Sequence, residues 1–309
     1  MNYKVQVLMS TYNGEKYLEE QLDSILIQKD VNVLLLIRDD GSTDSTREIL
    51  KKYEKKHACI NVIYGENIGY KKSFMKLIKL SNPEIEFFAF ADQDDVWFED
   101  KLVRSVKKML ERMKINRENA IVYQSIPCIV NENLKKQQIQ YTHELPQSYE
   151  EALINGWVQG CTMAFNKRIR DYALNYIPGI NTAHDKWIFC IGYFLGEVIY
   201  DNIPTIYYRQ HSFNVTGNAS KEKSVWNFNF AKNQLTKAIK GTLYCNYGRE
   251  IYLGFSTKLS DDMKQKLFIW CNYRTKIICK IKLLFNPRVI RKTIGGTVAL
   301  KLAILFNLY

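Results

Sequence analysis

Three short polar segments carry the residue types that could do chemistry. Asp92-Gln93-Asp94-Asp95 follows the apolar run Phe87–Ala91, Asp39-Asp40-Gly41-Ser42-Thr43-Asp44 follows Val33–Ile37, and Ser10-Thr11-Tyr12-Asn13-Gly14 follows 4–9. Two carboxylates one residue apart after a buried strand can face a common point. Oxygen ligands of this kind suit Mg²⁺ or Mn²⁺, which bridge diphosphate oxygens and stabilise a departing phosphate. The same residues also suit a solvated turn, with Asp95 capping the next helix.

Residues 4–9 read as a strand, and Tyr17, Leu18, Leu22, Ile25 and Leu26 recur at helical spacing behind it. Val33–Ile37 reads as a buried strand, with a helix at Ser45–Lys55. Asn61–Tyr64, Tyr70–Leu80 and Phe87–Ala91 continue as strand, helix and strand. This order predicts an α/β fold with a mostly parallel, Rossmann-like sheet covered by helices. Ligands of such sheets lie beyond the carboxyl ends of the strands, where the three segments stand. Further on, a helix is expected at 99–113, a strand at Ala120–Ser125, a helix at Trp187–Leu195, and short strands at Val198–Tyr200 and Thr205–Tyr208. Gly217–Lys223 reads as a linker.

The chain has 309 residues, 46% of them hydrophobic, enough to bury a full core. Its net charge of +12 is concentrated: Met263–Tyr309 carries ten Lys/Arg and no Asp or Glu. A basic, aliphatic segment points to an anionic membrane surface rather than to nucleic acid. Seven scattered cysteines without a C-x-x-C pair argue for a reducing compartment. The first residues show no signal peptide, so a cytoplasmic location is expected.

Taken together, Val7–Gly14, Asp39–Asp44, Asn67-Ile68-Gly69, Ala91–Trp97, Gly160-Cys161-Thr162-Met163, His184-Asp185 before Trp187, and Tyr208-Arg209-Gln210-His211 with Asn214 and Gly217 resemble family 2 glycosyltransferases of the GT-A fold. The resemblance covers about residues 3–217. The Asp-Gln-Asp-Asp-x-Trp and Tyr-Arg-Gln-His variants resemble bacterial rhamnosyltransferases of cell-surface polysaccharide synthesis.

The resemblance implies a nucleotide-sugar donor, a saccharide acceptor, a Mn²⁺ or Mg²⁺ cofactor and inverting transfer. Asp40 would accept a hydrogen bond from a uracil or thymine base, with Asp39 the substitute if the turn is offset by one. Tyr12 would pack on that base, and Ser10 or Thr11 would help hold the nucleoside. Asn67 and Gly69 belong to the donor site by motif, and Lys72 with Lys71 would neutralise the diphosphate or form a charged helix face. Asp92 would approach the ribose or a metal-bound water. Asp94 would ligate the metal, and His211 would be a later metal ligand or a loop histidine. Asp185 would be the general base that deprotonates the acceptor, or a helix cap, or both. His184 reads as structural or acceptor-facing. Gly160 permits close backbone approach, Cys161 reads as core, and Trp97 and Trp157 would line the sugar pocket or the core.

The catalytic domain is thus placed at 1–217, with a nucleotide half at 1–98 and an acceptor half at 99–217. A helical basic region follows at 218–309. Within it, 264–285 reads as one amphipathic helix ended by Pro287, and 294–309 as an apolar segment too short to span a bilayer. That region either lies on the inner membrane leaflet, which suits a lipid-linked acceptor, or packs on the catalytic domain. A sugar-phosphate nucleotidyltransferase is the alternative enzyme class, although Ser10–Gly14 is neither glycine-rich nor basic.

Overall fold

Alternating apolar residues along the first strands set the layers. In the computed structural model, which describes residues 3–136, 144–154, 158–179, 182–211, 245–291 and 293–307, strand β1 is Tyr3–Thr11 and β2 is Val31–Asp39. Strand β3 is Ile60–Tyr64 and β4 is Phe87–Ala91. Helices α1 (Leu18–Leu26), α2 (Thr46–Lys56) and α3 (Tyr70–Leu80) connect them. Leu8, Leu36, Phe88 and Phe90 point into one hydrophobic core, while Val7, Met9, Ile37 and Ala89 point into another on the opposite face. Period-two alternation with apolar residues in both phases is what a doubly covered parallel sheet requires.

The eight strands run β3-β2-β1-β4-β7-β6-β8-β5, where β5 is Val96–Trp97, β6 Ile121–Val130, β7 Met163–Asn166 and β8 Glu197–Arg209. The pairs β1–β2, β1–β4, β2–β3 and β6–β8 are parallel; β4–β7, β6–β7 and β5–β8 are antiparallel. The nucleotide half is therefore the parallel part, and β7 reverses direction to join it to the rest. Register places Thr11 beside Asp39 and Met9 beside Ala91. All three acidic or polar turns consequently leave the sheet at the same edge.

Helices α4 (Lys101–Met113), α5 (Tyr149–Ile154), α6 (Lys167–Asn175) and α7 (His184–Leu195) complete the first part. The expected short strands at Val198–Tyr200 and Thr205–Tyr208 are one strand, β8, whose register against β6 slips near Pro204. Proline has no N–H to donate, so a bulge carries the strand past it. The expected linker at 217–223, the domain boundary, and the motif residues Asn214 and Gly217 lie outside the described residues.

Among the described residues, four helices follow: α8 (Cys245–Phe255), α9 (Asp261–Asn272), α10 (Ile277–Phe285) and α11 (Ile294–Leu305). The single helix expected over 264–285 is thus two, because Lys276 takes an extended backbone and starts a new one. These helices pack on the sheet's own core. Tyr247, Phe255, Trp270, Leu283 and Ile304 belong to the same buried cluster as Leu8 and Trp187. Polar ties reinforce the contact: Tyr176 donates to Glu250 at 2.7 Å, and the Asn286 amide to Glu150 at 2.7 Å. Lys301 does not face outward as a membrane charge. Its ammonium donates to the carbonyls of Leu283, Leu284 and Asn286 at 2.6–3.0 Å, satisfying the C-terminal end of α10.

Truncating Trp270, which is 2% exposed, tests this continuity. Trp270→Ala should cost about 3–5 kcal/mol and lower the melting temperature of one cooperative transition. A second, separate transition for the C-terminal helices would contradict it.

Candidate active site

The β1–α1 and β2–α2 turns brace each other through side chain to backbone bonds. Asn13, in the left-handed region at φ 49°, accepts the Thr43 N–H at 2.8 Å, and Thr46 Oγ1 accepts the Gly14 N–H at 2.8 Å. Asp39 is consumed by this turn. It accepts from Thr11 and from the hydroxyl and N–H of Ser42, and it pairs with Arg47 at 2.7 Å. Asp40 is held differently. Its Oδ1 accepts from Arg38 and from the Ile68 N–H at 2.9 Å, and its Oδ2 from the Gly69 N–H at 2.8 Å. Oδ2 keeps capacity for one more donor, which favours Asp40 over Asp39 for recognising a base N–H.

Ser10 and Thr11 have their hydroxyls engaged internally. Ser10 bonds Ser73 at 2.6 Å, and Thr11 is fully buried against Asp39. They support the site and do not reach out by their side chains. Tyr12 is 46% exposed at the rim, where an aromatic ring can lie against a base. Asn67 is exposed and accepts the Gly69 N–H at 3.1 Å, which helps hold Gly69 at φ 82°. Lys72 is exposed on α3 and Lys71 half-buried. Gly41, at φ 84°, cannot be replaced freely, since a Cβ would stand 2.8 Å from the Asn67 nitrogen.

The turn after β4 is bound to both halves. The Gln93 side chain accepts the Tyr12 N–H at 2.8 Å and donates to its carbonyl at 3.0 Å, so the middle residue of the acidic motif locks the first loop. His211 Nε2 stands 2.8 Å from Asp94 Oδ2, and its ring packs on Tyr17 at 5.0 Å. Arg209 is buried, donates to the Asp94 carbonyl at 3.0 Å, and pairs with Glu20. The structure therefore brings Asp94 and His211 together, as expected of two ligands. Asp95 does not cap a helix. It is fully buried, accepts the Arg209 N–H at 3.3 Å through Oδ1, and leaves Oδ2 without a hydrogen bond among the described residues.

Behind Asp92 lies a compact group. Asp92, Asp95 and Cys161 each place a ligand atom within 4.8 Å of the others. The buried Lys101 ammonium donates to the Cys161 carbonyl at 2.8 Å and sits 4.6 Å over the Trp97 ring. Burial, then the charges of Asp94 and Asp185, push the Asp92 carboxyl up to about 7. Burial, then Asp94 and Asp92, hold Asp95 well above the carboxylate range, and burial brings Lys101 down to about 8. Burial also drives the Cys161 thiol well up, which excludes a thiolate nucleophile. Carboxylates this crowded fit a divalent cation bound through oxygen. Asp94, paired with His211, belongs to the same turn as Asp92 and Asp95.

Across the site, Asp185 is the second residue of α7, whose N-cap is Ala183. Asp185 is thus not the cap; it is half-buried, and its Oδ1 accepts the Lys186 N–H at 2.7 Å. Its charge acts on Asp92 directly. His184 faces inward, stacked on Phe74 at 3.8 Å and edge-on to Phe90 at 4.6 Å. A Cβ on Gly160 would meet His184 Nε2 at 2.8 Å, so glycine there makes room for the imidazole. Trp97 is buried core, and Trp157 lies outside the described residues. Sequence reasoning passed over Arg38, Ser73, Lys101 and Tyr70. Each lies in a helix or strand pattern that looks ordinary, and only the tertiary contacts give it a role.

Burial lowers the His184 imidazole to about 4 from an ordinary 6.5. The unfolded chain therefore binds a proton that the fold excludes between those values. The stability that His184 contributes is fully present above pH 6.5 and is lost as pH falls towards 4, about 3 kcal/mol in all. His184→Phe should flatten the fall of the urea midpoint between pH 7 and 4.5 relative to wild type. Parallel profiles would show that His184 is solvated.

Residues 6–178 match the Glycosyl transferase family 2 profile. The dTDP-rhamnosyl transferase RfbG of Shigella flexneri is 31% identical over 220 residues, covering 68% of this chain and 73% of that protein. A putative teichuronic acid biosynthesis glycosyltransferase, TuaG of Bacillus subtilis, is 38% identical over 109 residues, 35% of this chain and 42% of TuaG. Among solved structures, S. aureus TarS 1–349 in complex with UDP-GlcNAc superposes with a TM-score of 0.53 at 17% identity, over 99% of this chain and 93% of that one. The mannosyltransferase PcManGT of Pyrobaculum calidifontis, in complex with GDP-Man and Mn²⁺, gives 0.53 at 13% identity, over 99% and 88%. Both are GT-A folds, and none of these similar proteins is a sugar-phosphate nucleotidyltransferase. The sheet order, the motif positions and the extent of the match agree: the chain belongs to glycosyltransferase family 2.

Proposed function

We propose that the enzyme is an inverting, metal-dependent hexosyltransferase that moves a sugar from a UDP- or dTDP-sugar to a saccharide acceptor in cell-surface polysaccharide synthesis. The leading donor is dTDP-rhamnose, from the likeness to RfbG. One observation carries the reading: Asp92 at the end of β4 lies against Cys161, and Asp185 at the start of α7 lies against the adjacent Gly160, so the two carboxylate-bearing segments flank one point. Asp40 accepts the base N–H and Tyr12 covers the base. Asp94, with Asp92 and His211, would hold Mn²⁺ or Mg²⁺, which when bound would supply positive charge to the diphosphate leaving group. Lys72 and Lys71 are close enough in sequence to Gly69 to add to that charge. Asp185 takes the proton of the acceptor hydroxyl while that oxygen bonds the anomeric carbon. The bond from that carbon to the diphosphate oxygen breaks on the opposite side. The catalytic unit is 1–217, with its nucleotide half at 1–98 and acceptor half at 99–217.

A screen of UDP- and dTDP-sugars with and without Mn²⁺ tests this. One donor should be hydrolysed only with metal, and Asp94→Ala should lose that dependence together with activity. Asp185→Asn should keep donor binding and lose roughly 10²–10⁴-fold in transfer rate. Near-normal transfer by Asp185→Asn would move the base elsewhere.

The acceptor is lipid-linked and the enzyme works on the inner, anionic face of the membrane. No helix among the described residues is long and apolar enough to cross a membrane. The support comes from α10 and α11, which leave Ile277, Ile278, Ile281, Phe285, Ile294 and Val298 exposed, Phe285 at 81% and Ile294 at 87%. Arg274, Lys276, Lys282 and Arg288 are exposed beside them. An apolar face edged by cations suits insertion among anionic headgroups. Deleting 288–309 would also remove Leu300 and Ile304 from the core, so substitution is the cleaner test. Ile281→Glu with Phe285→Glu should abolish sedimentation with phosphatidylglycerol vesicles and leave donor hydrolysis intact. Wild-type binding should weaken as salt rises. Vesicle binding unchanged by the double substitution would refute the surface.

A further inference from the structure

The start of α3 meets both the nucleotide-side turns and the start of α7. Just before it, the Gly69 N–H bonds Asp40, and Gly69 takes a left-handed backbone that aims the chain into the helix. One turn on, Ser73 bonds Ser10 at 2.6 Å and receives Arg38 at 3.1 Å. Phe74 lies flat against the His184 ring at 3.8 Å. Residues three and four apart share a helix face, so Tyr70 shares the face of Ser73 and Phe74. That face abuts the start of α7, where Asp185 follows His184.

Tyr70 is 42% exposed, and no hydrogen bond among the described residues takes up its hydroxyl. Burial, then the charges of Asp185 and Asp92, raise its phenol above the ordinary value, so it stays a neutral O–H donor. Those two carboxylates belong to opposite ends of the reaction coordinate. Inversion requires the acceptor oxygen and the leaving oxygen to lie on opposite sides of the anomeric carbon. With the diphosphate at Asp92 and Asp94 and the acceptor at Asp185, the transferred sugar must lie between them. Tyr70 stands one turn before Phe74, which lies on His184, while Asp185 and Asp92 flank the adjoining Gly160 and Cys161; an exposed side chain at that place borders the sugar.

We infer that Tyr70 is a donor-sugar contact, its ring walling the space for the transferred hexose and its hydroxyl donating to a hydroxyl of that sugar. This rests on the proposed function. It adds the residue that discriminates the sugar from the nucleotide carrying it. The nucleotide is gripped elsewhere, at Asp40 and Tyr12, so the two parts of the donor are separable by substitution.

The test is calorimetric binding of dTDP-rhamnose and of dTDP, with Mn²⁺, to wild type, Tyr70→Phe and Tyr70→Ala. The pair UDP-GlcNAc and UDP replaces them if the donor screen selects that sugar nucleotide. Tyr70→Ala should weaken the sugar nucleotide at least tenfold and leave the free nucleotide within twofold. Tyr70→Phe should keep part of that affinity, since the ring remains, and lose turnover more than binding. Because Tyr70 is half exposed, both variants should melt with wild type, and the Phe variant keeps the test valid if the Ala variant does not. Equal weakening of sugar nucleotide and free nucleotide, or no change in either, would overturn this inference alone. A wild type that binds no nucleotide sugar would overturn it together with the proposed function.

Discussion

The guanidinium of Arg38, 1% exposed, ties three parts of the site into one unit. It pairs with Asp40, donates to Ser73 of α3 at 3.1 Å, and donates to the Glu66 carbonyl at 2.8 Å. A buried cation without such partners would be several kcal/mol unfavourable, so the Asp40 carboxylate, the helix and the loop must come together or not at all. Gly65 makes this possible, because a Cβ there would lie 2.5 Å from the guanidinium. The same logic repeats around the sheet edge. Arg47 neutralises Asp39, and Arg209 pairs with Glu20 while clasping the acidic turn. Lys101 stands by Asp92 and Asp95. Internal cations thus hold the carboxylates that shape the turns. Among the described residues, the side chains of Asp92, Asp94 and Asp185 form no ion pair with an arginine.

Much of this was legible from the order of residues. A buried strand followed by Asp-Asp-Gly-Ser or Asp-Gln-Asp-Asp has few ways to end, and parallel pairing brings such ends to one edge. Asp94 and His211 are far apart in sequence, and their side chains meet at 2.8 Å. The places where the reading was incomplete share a cause. Ser10 and Thr11 have the right chemistry for a nucleoside, but their hydroxyls are turned inward by Ser73 and Asp39. Asp95 looked like a cap because Asp commonly caps, whereas β5 intervenes before α4. Lys101 falls near the start of the helix expected at 99–113 and was given no role there, yet it is 3% exposed. Periodicity reports which face of an element is apolar. It does not report which polar residue the neighbouring loop will cover.

The C-terminal helices pack on the catalytic domain, one of the two readings that the sequence left open, and they also keep apolar side chains on the outside. Their inner residues, Trp270, Leu283 and Ile304, join the catalytic core, while α10 and α11 present aliphatic side chains outward. One helix can do both because its apolar residues exceed the width of a single packed stripe. Lys301 shows how a lone charge is reconciled with this arrangement: it reaches the carbonyls at the end of α10, where the helix dipole favours a cation.

The parallel pairing of β6 with β8, Ile121 beside Glu197, carries a consequence for biosynthesis. At roughly 5–20 residues per second, a ribosome needs on the order of 4–15 s to make the chain between those partners. Throughout that interval β6, apolar on nearly every residue, has no β8 to pair with. An unpaired strand edge of this kind is a template for association with other chains. Slower translation lengthens the exposure of each nascent chain, and faster expression raises the number of such chains present at once. Shielding of that strand edge during those seconds therefore bears on soluble yield alongside the stability of the finished fold.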